Sequence, residues 1–149
     1  MKSLIAAAAL TLTLTLATAA HAGAPGVVVA KSPTCGCCTG WVEHMRASGF
    51  EVEVRDVTPE RLDLTKRRLG VEPEYQSCHT AVVDSYVIEG HVPAADIRRL
   101  LAERPSATGL AVPGMPFGSP GMPSDGEREP YDVLLLKLGT GASVFSSYR

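Results

Sequence analysis

A chain of 149 residues with 14 basic and 16 acidic side chains carries a formal net charge of −2 and is 45% hydrophobic. That length sustains one buried core and hardly two, and the slight acidity excludes a nucleic-acid partner, which would want a basic face. Three of the four cysteines lie within Cys35-Gly36-Cys37-Cys38, so they cannot staple distant parts of a fold as the disulfides of a small exported protein do.

In chain order, Lys2 precedes an apolar segment from Leu4 to about Ala20, and Ala20-His21-Ala22 supplies a small-x-small cleavage site. This reads as a secretory signal peptide over 1–22. The threonines inside it and the Ala-His-Ala ending favour cleavage over a retained membrane anchor. The mature chain is then a single exported domain, residues 23–149, with no membrane segment and one basic residue fewer.

Val27 to Ala30 is short and β-branched, the pattern of a fully buried strand. Pro33 forces Ser32 to be extended, and the thiol motif follows at the start of an amphipathic run, Thr39 to Ser48. Cys38, Trp41, Val42 and Met45 share one helical face, with Gly49 as the cap. Met45 lies roughly 10 Å along the axis from Cys38 and reads as core; His44 reads as a solvated surface histidine. Glu51 to Val57 alternates polar and apolar, a strand with its valines inward. Thr58-Pro59 opens a second helix, with Leu62 and Leu69 on its inner side and Gly70 at its end.

Ala81 to Asp84 and Tyr86 to Glu89 read as a hairpin turning near Ser85. Pro93 opens a third helix, with Ile97, Leu100 and Leu101 as its apolar stripe and Pro105 as the stop. From Pro105 to Pro130 glycine, proline and serine recur so often that no helix or strand is expected. This stretch contains Pro113-Gly114-Met115 and the near repeat Pro120-Gly121-Met122; Ser124 to Glu129 is polar enough to suit disorder. Val133 to Leu138 and Ala142 to Tyr148 form a closing hairpin. Arg and Lys residues on the helices read as solvated faces.

A strand, a tight turn and then a helix place three thiols at a helix N-terminus, where backbone N–H groups and the macrodipole stabilise thiolates. Cys35 and Cys38 have the C-x-x-C spacing of a redox dithiol, and Cys37 intrudes between them. Adjacent helical residues diverge by about 100°, so one ion does not easily satisfy all three. The pattern suits either a disulfide with a spare thiol or several soft metal ions sharing bridging thiolates.

The element order and Ser32-Pro33-Thr34-Cys35-Gly36-x-Cys38 resemble the thioredoxin and glutaredoxin group over residues 27–104. In that group an x-Pro-Thr loop lies against the dithiol. Here the aligned segment is Ser77-Cys78-His79-Thr80, so His79 replaces the proline and a substrate-docking loop gives way to two residues whose side chains are able to ligate metal. The alternative reading, a periplasmic thiol-disulfide oxidoreductase using Cys35 and Cys38, loses support from that replacement and from Cys37.

Together with Gly90-His91-Val92-Pro93 and the Met loop, the pattern resembles a narrower family, the CopG-type periplasmic copper-resistance proteins, over nearly the whole mature chain. The resemblance implies an α/β, thioredoxin-like fold: a central mixed sheet flanked by helices, with a C-terminal Gly/Pro/Met loop and a β-hairpin. It further implies a thiolate-bridged multinuclear copper site, with copper ions and other periplasmic copper-handling proteins as partners and copper redox conversion as an activity. The ligand set expected is Cys35, Cys37, Cys38, Cys78, His79, His91, Met115 and Met122. Their chemistry agrees, since thiolate and thioether select Cu(I) and imidazole tolerates either copper oxidation state. Structural zinc would want paired C-x-x-C knuckles, and only one such pair exists. N-terminal sequencing of the exported protein should read from Gly23; an intact Met1 on membrane-extracted protein would overturn the cleavage assignment.

Overall fold

The structure, a computed structural model, describes residues 24–123 and 126–149. The segment read as a signal peptide, together with Ser124 and Asp125, lies outside the described residues. None of the helices described is long and apolar enough to cross a membrane.

Seven strands form one mixed sheet in the order β2-β1-β3-β4-β5-β6-β7. They are β1 (Gly26–Lys31), β2 (Glu51–Asp56), β3 (Thr80–Val83), β4 (Tyr86–Glu89), β5 (Gly109–Ala111), β6 (Tyr131–Leu136) and β7 (Ala142–Tyr148). The helices are α1 (Gly36–Ala47), α2 (Pro59–Arg68) and α3 (Ala94–Glu103), with a 3-10 turn at Pro73–Tyr75. Strand β1 is parallel to β2 and antiparallel to β3, and β3 is antiparallel to β4. That is the thioredoxin-like arrangement the element order implies.

Alternation along the strands divides the sheet into two faces. On one, Val27, Val29, Ala81, Val83 and Ile88 are buried together with Trp41, Val42 and Met45 of α1 and Ile97 and Leu100 of α3. The other face carries Val28, Ala30, Thr80 and Val82, and α2 covers it incompletely, leaving a cavity of about 280 Å³ lined also by Thr65 and Leu69. Register places Ala30, Thr80, Glu89 and Ala111 side by side across four strands. Strands β4 and β5 end at this row, β1 ends one residue beyond it, and β3 begins there.

Several expectations need correction. A strand does exist between Pro105 and Pro130: Gly109-Leu110-Ala111 pairs in parallel with β4 and antiparallel with β6. The breakers lie on either side of it, and three residues suffice because both neighbours are already in place. His44 is half-buried, and its Nε2 accepts the Ala94 backbone N–H at 3.1 Å, satisfying a donor at the start of α3. Lys66 of α2 is buried, with 3% of its surface exposed, because the carboxylate of Glu89 lies beneath it and pairs with it. The closing strand β6 starts two residues before the expected Val133 and stops at Leu136.

The hairpin β6-β7 is anchored to α3 through polar contacts. Buried Asp96 accepts from the Tyr148 hydroxyl at 2.6 Å and from Ser146, while the Arg99 guanidinium stands 3.6 Å over the Phe145 ring. At the strand pairing that sequence patterning misses, Gly109 is required by close approach: a Cβ there would lie 1.8 Å from the Val87 carbonyl oxygen. Gly109→Ala should therefore separate β5 from β4 and lower stability by about 2 kcal/mol or more, measured as the shift in the urea midpoint; an unchanged midpoint would show that β5 contributes nothing to the sheet.

Candidate metal centre

Helix α1 begins inside the thiol motif. Cys35 is its N-cap, and its Sγ accepts the Cys38 N–H at 3.3 Å. Cys38, fully buried, turns inward with Trp41, Val42 and Met45. Cys35 and Cys38 are joined as a disulfide, and Cys37 and Cys78 are free thiols. Cys37 Sγ lies 3.5 Å from Cys35 Sγ and 3.9 Å from Cys78 Sγ, so the spare thiol sits between the dithiol and the loop before β3.

Cys78 also faces the two histidines expected as ligands. Its Sγ is 3.3 Å from His79 Nδ1 and 3.0 Å from His91 Nε2. The Nδ1 of His91 donates to the Pro120 carbonyl at 2.8 Å. A carbonyl can only accept, so this contact fixes the tautomer and leaves the Nε2 lone pair aimed at Cys78. His79 lies wholly inside, its ring 4.6 Å from Trp41 and 5.0 Å from His91, and its Nε2 has no partner among the described residues. The Trp41 indole donates to the Val92 carbonyl at 2.9 Å and so ties the segment carrying His91 to α1.

Six of the eight expected ligands are thus brought together, in two groups that share one sulfur. Cys35, Cys37, Cys38 and Cys78 form the first, and Cys78, His79 and His91 the second, with the ligand atoms of each within 4.8 Å of one another. The two methionines stand on the loop flanking them, Met115 with 52% of its surface exposed and Met122 half-buried.

That loop is shaped and tethered. Ser77 Oγ donates to the Gly114 carbonyl, and the Gly114 N–H reaches the Gln76 carbonyl at 3.3 Å, fixing the end next to Met115. At the other end Pro120 holds His91, and Gly121 lies against the first turns of α1. Gly121 has a φ of 85°, and a Cβ would meet the Trp41 nitrogen at 2.3 Å and the Cys37 carbonyl oxygen at 2.7 Å, so only glycine fits. Ser119, just before Pro120, is buried, and its hydroxyl donates back to the Pro116 carbonyl.

Beneath Cys78 lies a charged pair that patterning misses. Glu89, fully buried, accepts from Lys66 and, at 2.7 Å, from the backbone N–H of Ser77. Its polar type inside a β-rich run is the one signal that hints at it. Burial raises the Glu89 pKa, and the Lys66 ammonium opposes that rise.

Burial shapes the electrostatics of the centre. The Cys78 thiol is pushed up to about 12 by burial and by neighbouring Cys37, so without metal it stays protonated at neutral pH. His79 is held well below its ordinary value by burial, with His91, Lys66 and Lys31 adding to the effect, and burial also lowers His91 and His44. Between those lowered values and the ordinary 6.5 the unfolded chain binds more protons than the folded one, so stability falls as pH drops through that window. For Cys78 the folded chain keeps its proton where the unfolded thiol, at 9.0, has lost it, and stability falls as pH rises above 9. The histidines and Cys78 therefore favour the metal-free fold between about pH 6.5 and 9, while the raised Glu89 carboxyl acts in the opposite direction on the acid side. Imidazole titration followed by NMR should find His79 still neutral at pH values where a histidine of the unfolded chain is charged, and a His79 that titrates at its ordinary 6.5 would contradict its burial.

A family model described as a protein of unknown function, DUF411, matches residues 75–122, the stretch holding Cys78, both buried histidines and both loop methionines. No curated protein matches the chain. Two solved structures do. Copper resistance protein CopG, Form 2, is 43% identical, with a TM-score of 0.78 over 85% of this chain and 99% of its own. Form 1 of that protein is likewise 43% identical, with a TM-score of 0.77 over 83% of this chain and 96% of its own. At that identity over almost the whole of a solved relative, with the mixed sheet and thiol-bearing helix described above, the chain belongs to the CopG family of copper resistance proteins.

Proposed function

We propose that this is an exported, periplasmic copper-binding protein of copper resistance, which holds Cu(I) in a multinuclear site built from Cys35, Cys37, Cys38, Cys78, His79 and His91. The observation that carries the reading is the sharing of Cys78 between two ligand groups. A thiolate has lone pairs enough to bridge two metal ions, and a sulfur common to both groups allows two ions to sit side by side. The donor set fits copper better than zinc: soft thiolates predominate, and imidazoles supply the remaining positions.

Met115 and Met122 complete the site in this reading as neutral thioether donors from a loop tethered on both sides of the six clustered residues. They favour Cu(I) without adding negative charge, and conversion between Cu(I) and Cu(II) is the activity such a mixed donor set would serve. Loading requires two chemical changes first. A thiol reductant must first supply two electrons and two protons to open the Cys35–Cys38 disulfide, and the four thiols, Cys78 among them, must then give up their protons, so binding releases protons and strengthens with pH.

The Cys35–Cys38 disulfide also favours a second reading, a thioredoxin-like thiol-disulfide oxidoreductase, with half-buried Cys35 as the attacking thiol and buried Cys38 as the resolving one. His79 in place of the docking proline weighs against it. Insulin reduction without copper binding would establish the second reading.

Anaerobic titration of the reduced protein against a competing Cu(I) chelator should saturate above one equivalent per chain. Cys78→Ser should lose at least one equivalent while keeping its fold by circular dichroism, because the shared sulfur is gone. Saturation of the parent at a single equivalent, or unchanged stoichiometry in the variant, would overturn the multinuclear assignment.

A further inference from the structure

We infer that the buried Lys66–Glu89 pair is the positioning element of the metal centre: Glu89 holds the Ser77-Cys78 backbone in place so that the Cys78 sulfur reaches both ligand groups. The inference rests on the copper-site reading above and adds to it the residues that set its geometry.

Glu89 ends β4, two residues before His91, and stands directly opposite Thr80 in the β3-β4 register. One carboxylate oxygen, Oε1, receives both the Lys66 ammonium and the Ser77 N–H, the latter at 2.7 Å. The other, Oε2, is buried without a partner among the described residues. Oε1 is therefore spent on α2 and on the residue preceding Cys78, and the Thr80 hydroxyl is the further polar group beside this carboxylate. Through its own chain it leads to His91, and through Ser77 it fixes the loop carrying Cys78 and His79, so one side chain relates three of the expected donors.

Stability alone is a poor reason for such a pair. A fully buried ion pair loses its hydration, and well-packed apolar residues of similar volume serve folding as well or better. What apolar residues cannot do is accept the Ser77 N–H. Partners that hold ligands from behind commonly decide metal affinity by 10–100-fold when removed. Lys66 contributes by keeping Glu89 charged and aimed in an apolar interior, where an unpaired carboxylate would be costly.

Two double variants separate the hydrogen bond from the charge. Lys66→Met with Glu89→Leu removes both charges and the acceptor; Lys66→Met with Glu89→Gln removes both charges and keeps an oxygen for Ser77. In the first, Cu(I) affinity by chelator competition should fall about 10–100-fold with the melting temperature kept or raised. Its Ser77 amide should exchange faster, and its Cys78 should be alkylated faster by iodoacetamide in reduced, metal-free protein. The glutamine variant should return all three readouts toward the parent. Parent-like values in the leucine variant would overturn the inference, as would a folded glutamine variant that fails like the leucine one. Should either variant not fold, the Ser77 amide of the parent decides, since exchange at the rate of an open loop contradicts its being held. A parent that binds no Cu(I) would defeat the copper reading, while amide exchange and alkylation still test the positioning.

Discussion

Strand register is the constraint on which everything else in this molecule depends. Ala30, Thr80, Glu89 and Ala111 lie side by side in one row across four strands. Since β3 runs opposite to its neighbours, the chain leaves β1 toward the thiol helix, enters β3 from Cys78-His79, leaves β4 toward His91 and leaves β5 toward the methionine loop, all at the same end of the sheet. Donors separated by tens of residues are thereby gathered with no long excursion of the backbone. A slip of one residue would turn each side chain to the opposite face, sending His79 away from Trp41 and Glu89 away from Lys66.

Much of this was legible in the residues themselves. The thiol turn stands out because three cysteines in four positions have no use as long-range staples, and Ser77-Cys78-His79-Thr80 stands out because a histidine occupies a proline's place. Hydrophobic period located β1, β2, the β3-β4 hairpin and all three helices to within a few residues. What stayed hidden has a common cause. Lys66 reads as surface on a charged helix because its partner, Glu89, sits on a strand 23 residues further on. His44 reads as solvated because the N–H it accepts belongs to Ala94, 50 positions away. Strand β5 is too short to show a period and exists because β4 and β6 flank it. Polar pairing over long separation leaves no periodic trace, whereas apolar burial does.

Few substitutions distinguish the site end of this thioredoxin-like frame. The dithiol remains at the N-terminus of α1, able to close as a disulfide. Cys37 gives that helix end a third sulfur, 3.5 Å from Cys35 Sγ and 3.9 Å from Cys78 Sγ. His79 fills the docking position with a ring that packs on Trp41, and Pro120 brings a carbonyl to orient His91. Where the thioredoxin-like pattern would have a docking proline, this chain places Cys78, His79 and His91 with their ligand atoms within 4.8 Å of one another.

The chain has a single tryptophan. Trp41 is fully buried, with its ring centre 4.6 Å from that of His79 and its N–H bound to the segment that carries His91. Its indole therefore acts as a built-in optical reporter: any change in the state of the His79 ring meets this fluorophore through direct ring contact, with no second tryptophan to dilute the signal. Emission from the unlabelled protein consequently reads the state of one side of the centre, and it does so from the same residue that holds the thiol helix to the rest of the fold.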